Sequence, residues 1–501
     1  MPKATSKKTF RHGSVSVLLT VAVVAAAILS NAIMTALAMR YGWFINMNPD
    51  YLYPVTDTCY DYLDTYVIPE AAGGDKIEII FCDNEENIAE DGTQAIIRNT
   101  ALELTEAYPD AIEISYMNVW ERPKEARSYG VSASTDVVVK CGENFRVCTL
   151  RDFFTFSVAD NATPLAYNGE KRLAVAMKAV VSTDAPVAYF TLNHGESFPD
   201  YSLLFAATDA GYMVNYLDAL SFDIPKDCDL LITYNPAQDF TTYDGVSGTS
   251  EIEKLDAFMA EGGKYMVFVS ADTFNAGGFD NLEGFLAERG VTFDHREGAE
   301  GVEECNAIRD LNHALSTDGY TLVGKIPETG KAAELMADID GTIRLSNATA
   351  ITPAEGFTAN GNGGFVKGDY TMTPLLTSYE GAEAWAGGRA VDRTTEGFNL
   401  ITLTENQKDG SYLLVSTSTE FASEVAMQSG VYDNEPFLLT ALGAMGKTDT
   451  PVKMTGQPFA ESTIYTLTTA SARNITIVLT ATPAVLALAA GLIILIRRKF
   501  A

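Results

Sequence analysis

Val187-Ala-Tyr-Phe-Thr-Leu-Asn-His-Gly-Glu196 is the stretch on which the fold turns. Its apolar part is too short for a helix and reads as a strand. Ala188, Phe190 and Leu192 face one side, and Val187, Tyr189 and Thr191 the other. Both faces are largely apolar, as in a strand in the middle of a helix-covered parallel sheet. The polar turn Asn193-His194-Gly195-Glu196 then falls at the carboxyl end of the strand, where open α/β sheets place their ligands.

Downstream, the pattern repeats. A helix is expected from after Glu196 to about Ala210, closed by Gly211, where left-handed backbone is needed. Tyr212–Leu217, Asp229–Tyr234 and Tyr265–Ser270 read as further strands. Between the last two, Ser250 and Glu253 form a capping box that opens a helix buried through Ile252, Leu255, Phe258 and Met259. Strands alternating with helices predict an α/β fold with a doubly wound, mostly parallel sheet.

Upstream, Lys76–Cys82, the helix Gln94–Tyr108, Ile112–Met117 and a hairpin around Gly142 predict a smaller α/β domain of thioredoxin-like size. It lacks a redox cysteine pair. The six cysteines are too few for a disulfide scaffold and none forms C-x-x-C, so buried thiols are expected. Gly169-Glu170 opens a helix with Leu173, Ala176, Met177 and Val180 on one face. Beyond the central unit, Phe398–Thr404, Ser411–Ser416 and the helix Asn434–Met445 are expected to complete the sheet.

The ends suggest where this body is kept. Val15–Met39 is 25 residues without a charge, about 37 Å as a helix, and Ile475–Ile496 is a similar run of 22 residues. Lys3, Lys7, Lys8 and Arg11 precede the first, and Arg497, Arg498 and Lys499 follow the second. By the positive-inside rule this predicts two transmembrane helices in the plasma membrane, both termini cytoplasmic, with a large extracytoplasmic domain. The implied organisation is a tail (1–14), a span (15–39), a juxtamembrane connector (40–74) and the small domain (75–165). The central domain (166–300), an irregular β-containing insertion (301–397) and a completing and return segment (398–472) follow. A second span (473–496) and a tail (497–501) close the chain. All 66 acidic residues lie between the apolar runs; setting aside the basic residues at and beyond their flanks leaves 26 of the 35 there. So acidic a surface repels nucleic acid and anionic lipid headgroups and favours solubility or basic partners.

The chain offers little catalytic equipment. It has four histidines, His12, His194, His295 and His313. His194 and Glu196 share one turn and can be read as an acid–base pair, as two metal ligands, or as a self-bonded turn that caps a helix. Two ligands are too few for zinc, and neither a Gly-x-Ser-x-Gly elbow nor a phosphate-binding glycine loop is present, so no metal, cofactor or catalytic set is expected.

The order of these features resembles the auxiliary subunit family of gliding-motility-type (GldG-like) ABC transporters. The matching features are the N-terminal apolar run, the Gly169-Glu170 helix and the strand ending in His194-Gly195-Glu196. The Ile224-Pro225 step, the Gly262-Gly263 turn, the segment Asn434–Gly446 and the closing run before Arg497-Arg498 also match. The family usually carries Gly where this chain has Asn193, and Asn tolerates the left-handed turn. The resemblance implies a non-catalytic, membrane-anchored component of an ABC-type transport system. Its partners would be a permease, a separate cytoplasmic ATP-binding subunit and an extracytoplasmic cargo, with Asn193, His194, Gly195 and Glu196 as contacts for ligand or partner. Two alternatives stand beside it: a cell-envelope hydrolase using His194 and Glu196, and a stand-alone surface sensor or adhesion module.

Overall fold

The computed structural model describes residues 53–459, apart from 72–73, 132, 157–162, 183–184, 199–200, 243–249, 277, 298–302, 447–453 and 455. The chain enters through α1 (Asp57–Tyr62), which continues through a π-helical turn (Leu63–Val67) and a last helical turn (Ile68–Ala71). This segment lies inside the expected juxtamembrane connector, but it is core. Val55, just before the helix, and Cys59, Leu63 and Val67, four residues apart along it, are all buried together with Tyr62.

They pack on a four-stranded sheet of β1 (Ile77–Phe81), β2 (Ile112–Tyr116), β3 (Val137–Cys141) and β4 (Asn144–Cys148), in the order β2-β1-β3-β4. α2 (Gly92–Ala107) covers it through Ile97, Ala101 and Leu104, capped by Asp91. The hairpin register opposes Cys148 to Val137, and all six cysteines are free thiols. The short strands β5 (Phe154–Phe156) and β6 (Pro164–Tyr167) lead to α3 (Gly169–Val181).

The large sheet begins at β7 (Val187–Thr191). α4 (Ser202–Asp209), β8 (Met213–Leu217), β9 (Cys228–Tyr234), α5 (Glu251–Ala260) and β10 (Lys264–Phe268) follow. After α6 (Asp280–Glu288) come β11 (Val291–Phe293), β12 (Ile351–Pro353), β13 (Thr358–Ala359) and β14 (Phe365–Lys367). β15 (Tyr370–Thr377), β16 (Asn399–Asn406), β17 (Ser411–Ser416) and α7 (Asn434–Ala444) complete the set.

The path across the sheet is β13-β14-β15-β16-β17-β10-β9-β7-β8, with β11 and β12 joined beside β16. Strands β8, β7, β9, β10 and β17 run parallel, and every pairing from β17 through β16, β15 and β14 to β13 is antiparallel. Ala188 and Phe190 enter one apolar layer with α4 and α7, and Tyr189 packs against the opposite layer, which includes α5 and α6.

This corrects the expected fold class. The sheet is mixed, not a doubly wound, mostly parallel one. The physical reason is that β13–β14, β14–β15 and β16–β17 are joined by loops of five, two and four residues, which can only join antiparallel neighbours, while the longer stretch 378–398 links β15 to β16. The expected flanking spans are corrected as well: among the described residues no helix is long and apolar enough to cross a membrane. The runs 15–39 and 473–496 themselves lie outside the described residues. Two-pass insertion in the plasma membrane with cytoplasmic termini therefore finds no support among the described residues.

Candidate functional site

Thr191 ends β7, and the next four residues turn sharply. Asn193 and Gly195 adopt left-handed backbone, with φ of 79° and 74°. At Gly195 a Cβ would stand 2.9 Å from that of Ala237, so glycine is required by both conformation and space. The turn is pinned from outside, since the Ala237 and Gln238 amides donate to the His194 carbonyl at 2.7 and 2.9 Å. The helix expected directly after Glu196 starts only at Ser202.

His194 points inward and is 3% exposed. Its Nδ1 meets Glu196 Oε1 at 3.1 Å and its Nε2 meets Glu251 Oε1 at 2.8 Å, while Phe240 stacks on the ring at 4.0 Å. Glu196 also accepts the His194 amide at 2.8 Å and the Thr191 hydroxyl at 2.9 Å. A chain of buried hydroxyls runs on from Thr191 to Thr233 (2.9 Å) and from Thr233 to Tyr265 (2.8 Å), tying β7, β9 and β10 together. Glu251 is the first residue of α5 and accepts the amide and hydroxyl of Thr241 at 2.9 and 3.0 Å.

With a carboxylate on each nitrogen, the imidazole is held doubly protonated. Burial pushes its pKa down, but the hydrogen bonds and charges of Glu196 and Glu251 overcome this and lift it to about 9. Burial likewise favours neutral Glu196 and Glu251, yet bonding to His194 and to nearby amides keeps both below the ordinary carboxylate range. An imidazolium without a free nitrogen cannot take a proton from a substrate or bind a metal. Among the described residues no cluster of histidine, cysteine and carboxylate ligands fit for a metal occurs.

Of the four residues singled out from the sequence, His194 and Glu196 therefore bury their side chains, and Asn193 and Gly195 form the exposed tip. Glu251 was not singled out. Its neighbours in the Ser250/Glu253 capping box were visible, and both reciprocal bonds of that box are present. A carboxylate on the first helical turn ordinarily faces solvent, so nothing local distinguished it.

A second buried cluster was missed entirely. Lys171 and Arg172, on the first turn of α3, point between α4 and α7. Lys171 pairs with Glu435 and lies 3.4 Å from Asp209, and Arg172 pairs with Asp209. Arg172 also donates to Gln428 at 2.8 Å and to the Asp152 carbonyl at 3.0 Å. Burial pushes Glu435 up to about 7, against the pull of Lys171.

Two further features lie at the surface. His313 is held by Asp310 at 3.0 Å and stacks on Tyr379 at 4.0 Å, a pairing that the Asp-x-x-His spacing could have suggested. A cleft of about 880 Å³ opens between the β3–β4 hairpin, α3 and the start of β8, bordered by Glu143, Phe145, Arg146, Lys178 and Met213.

No protein-family model and no curated protein matches the chain. Among solved structures, the N-terminal domain of mmIFT52 aligns over 52% of this chain and 98% of its own, at 15% identity and a TM-score of 0.35. A ThuA-like protein from Bacteroides uniformis aligns over 54% and 97%, at 10% identity and a TM-score of 0.30. A cold-adapted beta-galactosidase from Rahnella sp. R3 aligns over 50% and 32%, at 15% identity and a TM-score of 0.28. At these scores none of them assigns a fold or a function to the chain.

Proposed function

We propose that the described body is a non-catalytic docking component, an auxiliary member of an ABC-type transport system that engages a permease or cargo while a separate subunit hydrolyses ATP. One observation carries the non-catalytic part: the histidine at the strand end is saturated by Glu196 and Glu251 and sealed under Phe240. The place in a transport system comes from the resemblance of the sequence motifs. A hydrolase working through His194 and Glu196 would need an open ring nitrogen and a path for substrate, and the geometry disfavours it. Partner contact at the turn falls to its exposed tip, Asn193 and Gly195.

Affinity capture of the tagged full-length chain from its own cells, followed by mass spectrometry, tests the reading. A permease and an ATP-binding subunit are expected in stoichiometric amounts. Their absence sinks the transport assignment, and hydrolytic turnover abolished by His194→Gln in a folded protein sinks the non-catalytic one.

A further inference from the structure

Asn-Gly occurs three times in the chain, at Asn168-Gly169, Asn360-Gly361 and Asn362-Gly363. In each pair no Cβ shields the main-chain nitrogen that follows the asparagine carboxamide, so each is chemically labile. The fold treats the three differently. Asn168 is 1% exposed, its Nδ2 donates to Thr155 at 3.2 Å, and α3 begins at the next residue. Asn360 opens the exposed loop between β13 and β14, but its Oδ1 accepts the amides of Asn362 and Gly364 at 2.8 and 3.1 Å. Its own amide donates to the Gly364 carbonyl at 2.9 Å, so the residue is clamped across the loop.

The Asn362 side chain has no such clamp. It is exposed at the tip, and its carboxamide has no hydrogen-bond partner among the described residues. Gly363 is exposed as well, with left-handed backbone at a φ of 77°. What holds the tip is main chain. The Asn362 carbonyl accepts the Lys331 amide at 3.2 Å, and a Cβ on Gly330 would stand 2.4 Å from that oxygen. The loop therefore docks backbone to backbone on 330–331. There the short helix Lys331–Leu335 begins, with Ala332 and Met336 in the core beneath it.

We propose that Asn362 is a modification site, at which the folded chain selects one of its three Asn-Gly pairs for deamidation by water. The Gly363 nitrogen gives its proton to hydroxide and bonds to Asn362 Cγ; the Cγ–Nδ2 bond breaks and ammonia leaves. Water then opens the five-membered imide at either carbonyl, giving an aspartate or an isoaspartate. One water is consumed and one ammonia released. In the isoaspartyl product the main chain gains a methylene, and the former acceptor of the Lys331 amide becomes a free carboxylate. The main chain no longer passes through that acceptor, so its hold on 330–331 loosens. The change does not reverse by itself, and the loop thereby records the age of each molecule. This inference stands apart from the transport reading and survives the loss of it.

The test ages the full-length protein in warm, mildly alkaline buffer, with a second sample in urea. Both are then digested with trypsin in mildly acidic buffer, where the reaction is slow. The fragment Leu345–Lys367 carries Asn347, Asn360 and Asn362, so mass spectrometry reads the three side by side. Attack at Asn360 must first break two hydrogen bonds, so in the folded chain Asn362 should convert about tenfold or more faster than Asn360. Asn168 should stay intact. In urea all three Asn-Gly pairs should convert at similar rates. Amide exchange over 331–336 should quicken in the aged folded protein. It should stay unchanged in aged Asn362→Gln, whose longer side chain cannot close the five-membered imide. Conversion of Asn360 or Asn168 at the rate of Asn362 in the folded protein overturns the proposal. So does an Asn362 no faster than Asn347, or a preference for Asn362 that persists in urea. Exchange unchanged on ageing, or quickened equally in Asn362→Gln, overturns the loosening of the tip.

Discussion

At the carboxyl end of β7 one imidazolium lies between two carboxylates; where α3 meets α4 and α7, two cations lie among two carboxylates. Both clusters are buried, yet they handle charge differently. In the first, each ring nitrogen has a partner, and the hydroxyls of Thr191 and Thr241 help to satisfy the carboxylates. In the second, Asp209 Oδ2 and Glu435 Oε1 have no hydrogen-bond partner, and Asp209 Oδ2 keeps only its 3.4 Å ion pair with Lys171. An excess of carboxylate lets His194 keep its proton to about pH 9, whereas balanced charge leaves burial to dominate and Glu435 holds a proton to about pH 7. Hydrogen-bond completeness, more than burial, separates a fixed ion from a titratable one.

The largest expected effect breaks the second cluster. Lys171→Met leaves Asp209 and Glu435 buried beside each other with Arg172 alone, and should cost about 3–5 kcal/mol in urea unfolding. His194→Gln leaves one donor nitrogen, with an acceptor oxygen in place of the other, for two carboxylates and should cost somewhat less, about 2–4 kcal/mol.

The two clusters should also separate by pH. Glu435 holds its proton in the folded state up to about 7, above its ordinary 4.5, so its contribution is present below 4.5 and is lost as pH rises to about 7. His194, raised from 6.5 to about 9, contributes fully below 6.5 and loses that contribution as pH rises through about 9. Glu196 and Glu251 act in the opposite sense: their contribution is present above 4.5 and is lost on acidification. Urea midpoints measured from pH 4 to 10 should therefore fall in two successive steps above pH 4.5. Glu435→Gln should flatten the lower step and His194→Gln the upper one. If either variant flattens both, the clusters are not independent.

The smallest effect belongs to β8, an edge strand of the large sheet. Val214→Pro removes no ladder bond and should shift stability by less than about 1 kcal/mol, seen as a nearly unchanged thermal midpoint.

Residues with a strict local requirement were legible in the sequence. The strand at Val187, the turn through Asn193 and Gly195, the left-handed Gly211 and the Ser250/Glu253 box follow from periodicity or backbone geometry alone. The direction of β16 did not. Its alternation Leu400, Ile401 and Leu403 would serve a parallel or an antiparallel neighbour equally, and only the hairpin at 407–410 decides. Lys171 and Arg172 read as the solvent face of an amphipathic helix, because nothing in 169–181 reveals Asp209 and Glu435, the latter more than 250 residues later. The helix at 57–71 was hidden by its Tyr, Asp and Thr content, although Cys59, Leu63 and Val67 are spaced four apart.

The join between β10 and β17 has a consequence for synthesis. Lys264 pairs with Tyr412 and Phe268 with Ser416, so the two central neighbours are separated by about 140 residues of chain. At roughly 5–20 residues per second, a ribosome needs roughly 7–28 s to make that interval. Throughout it the nascent β10 presents the bare hydrophobic flank of a half-built sheet, and Tyr265, Met266 and Val267 have yet to meet Leu413, Leu414 and Val415. Birth of this protein thus includes a lengthy pause in which a holdase has something definite to grip.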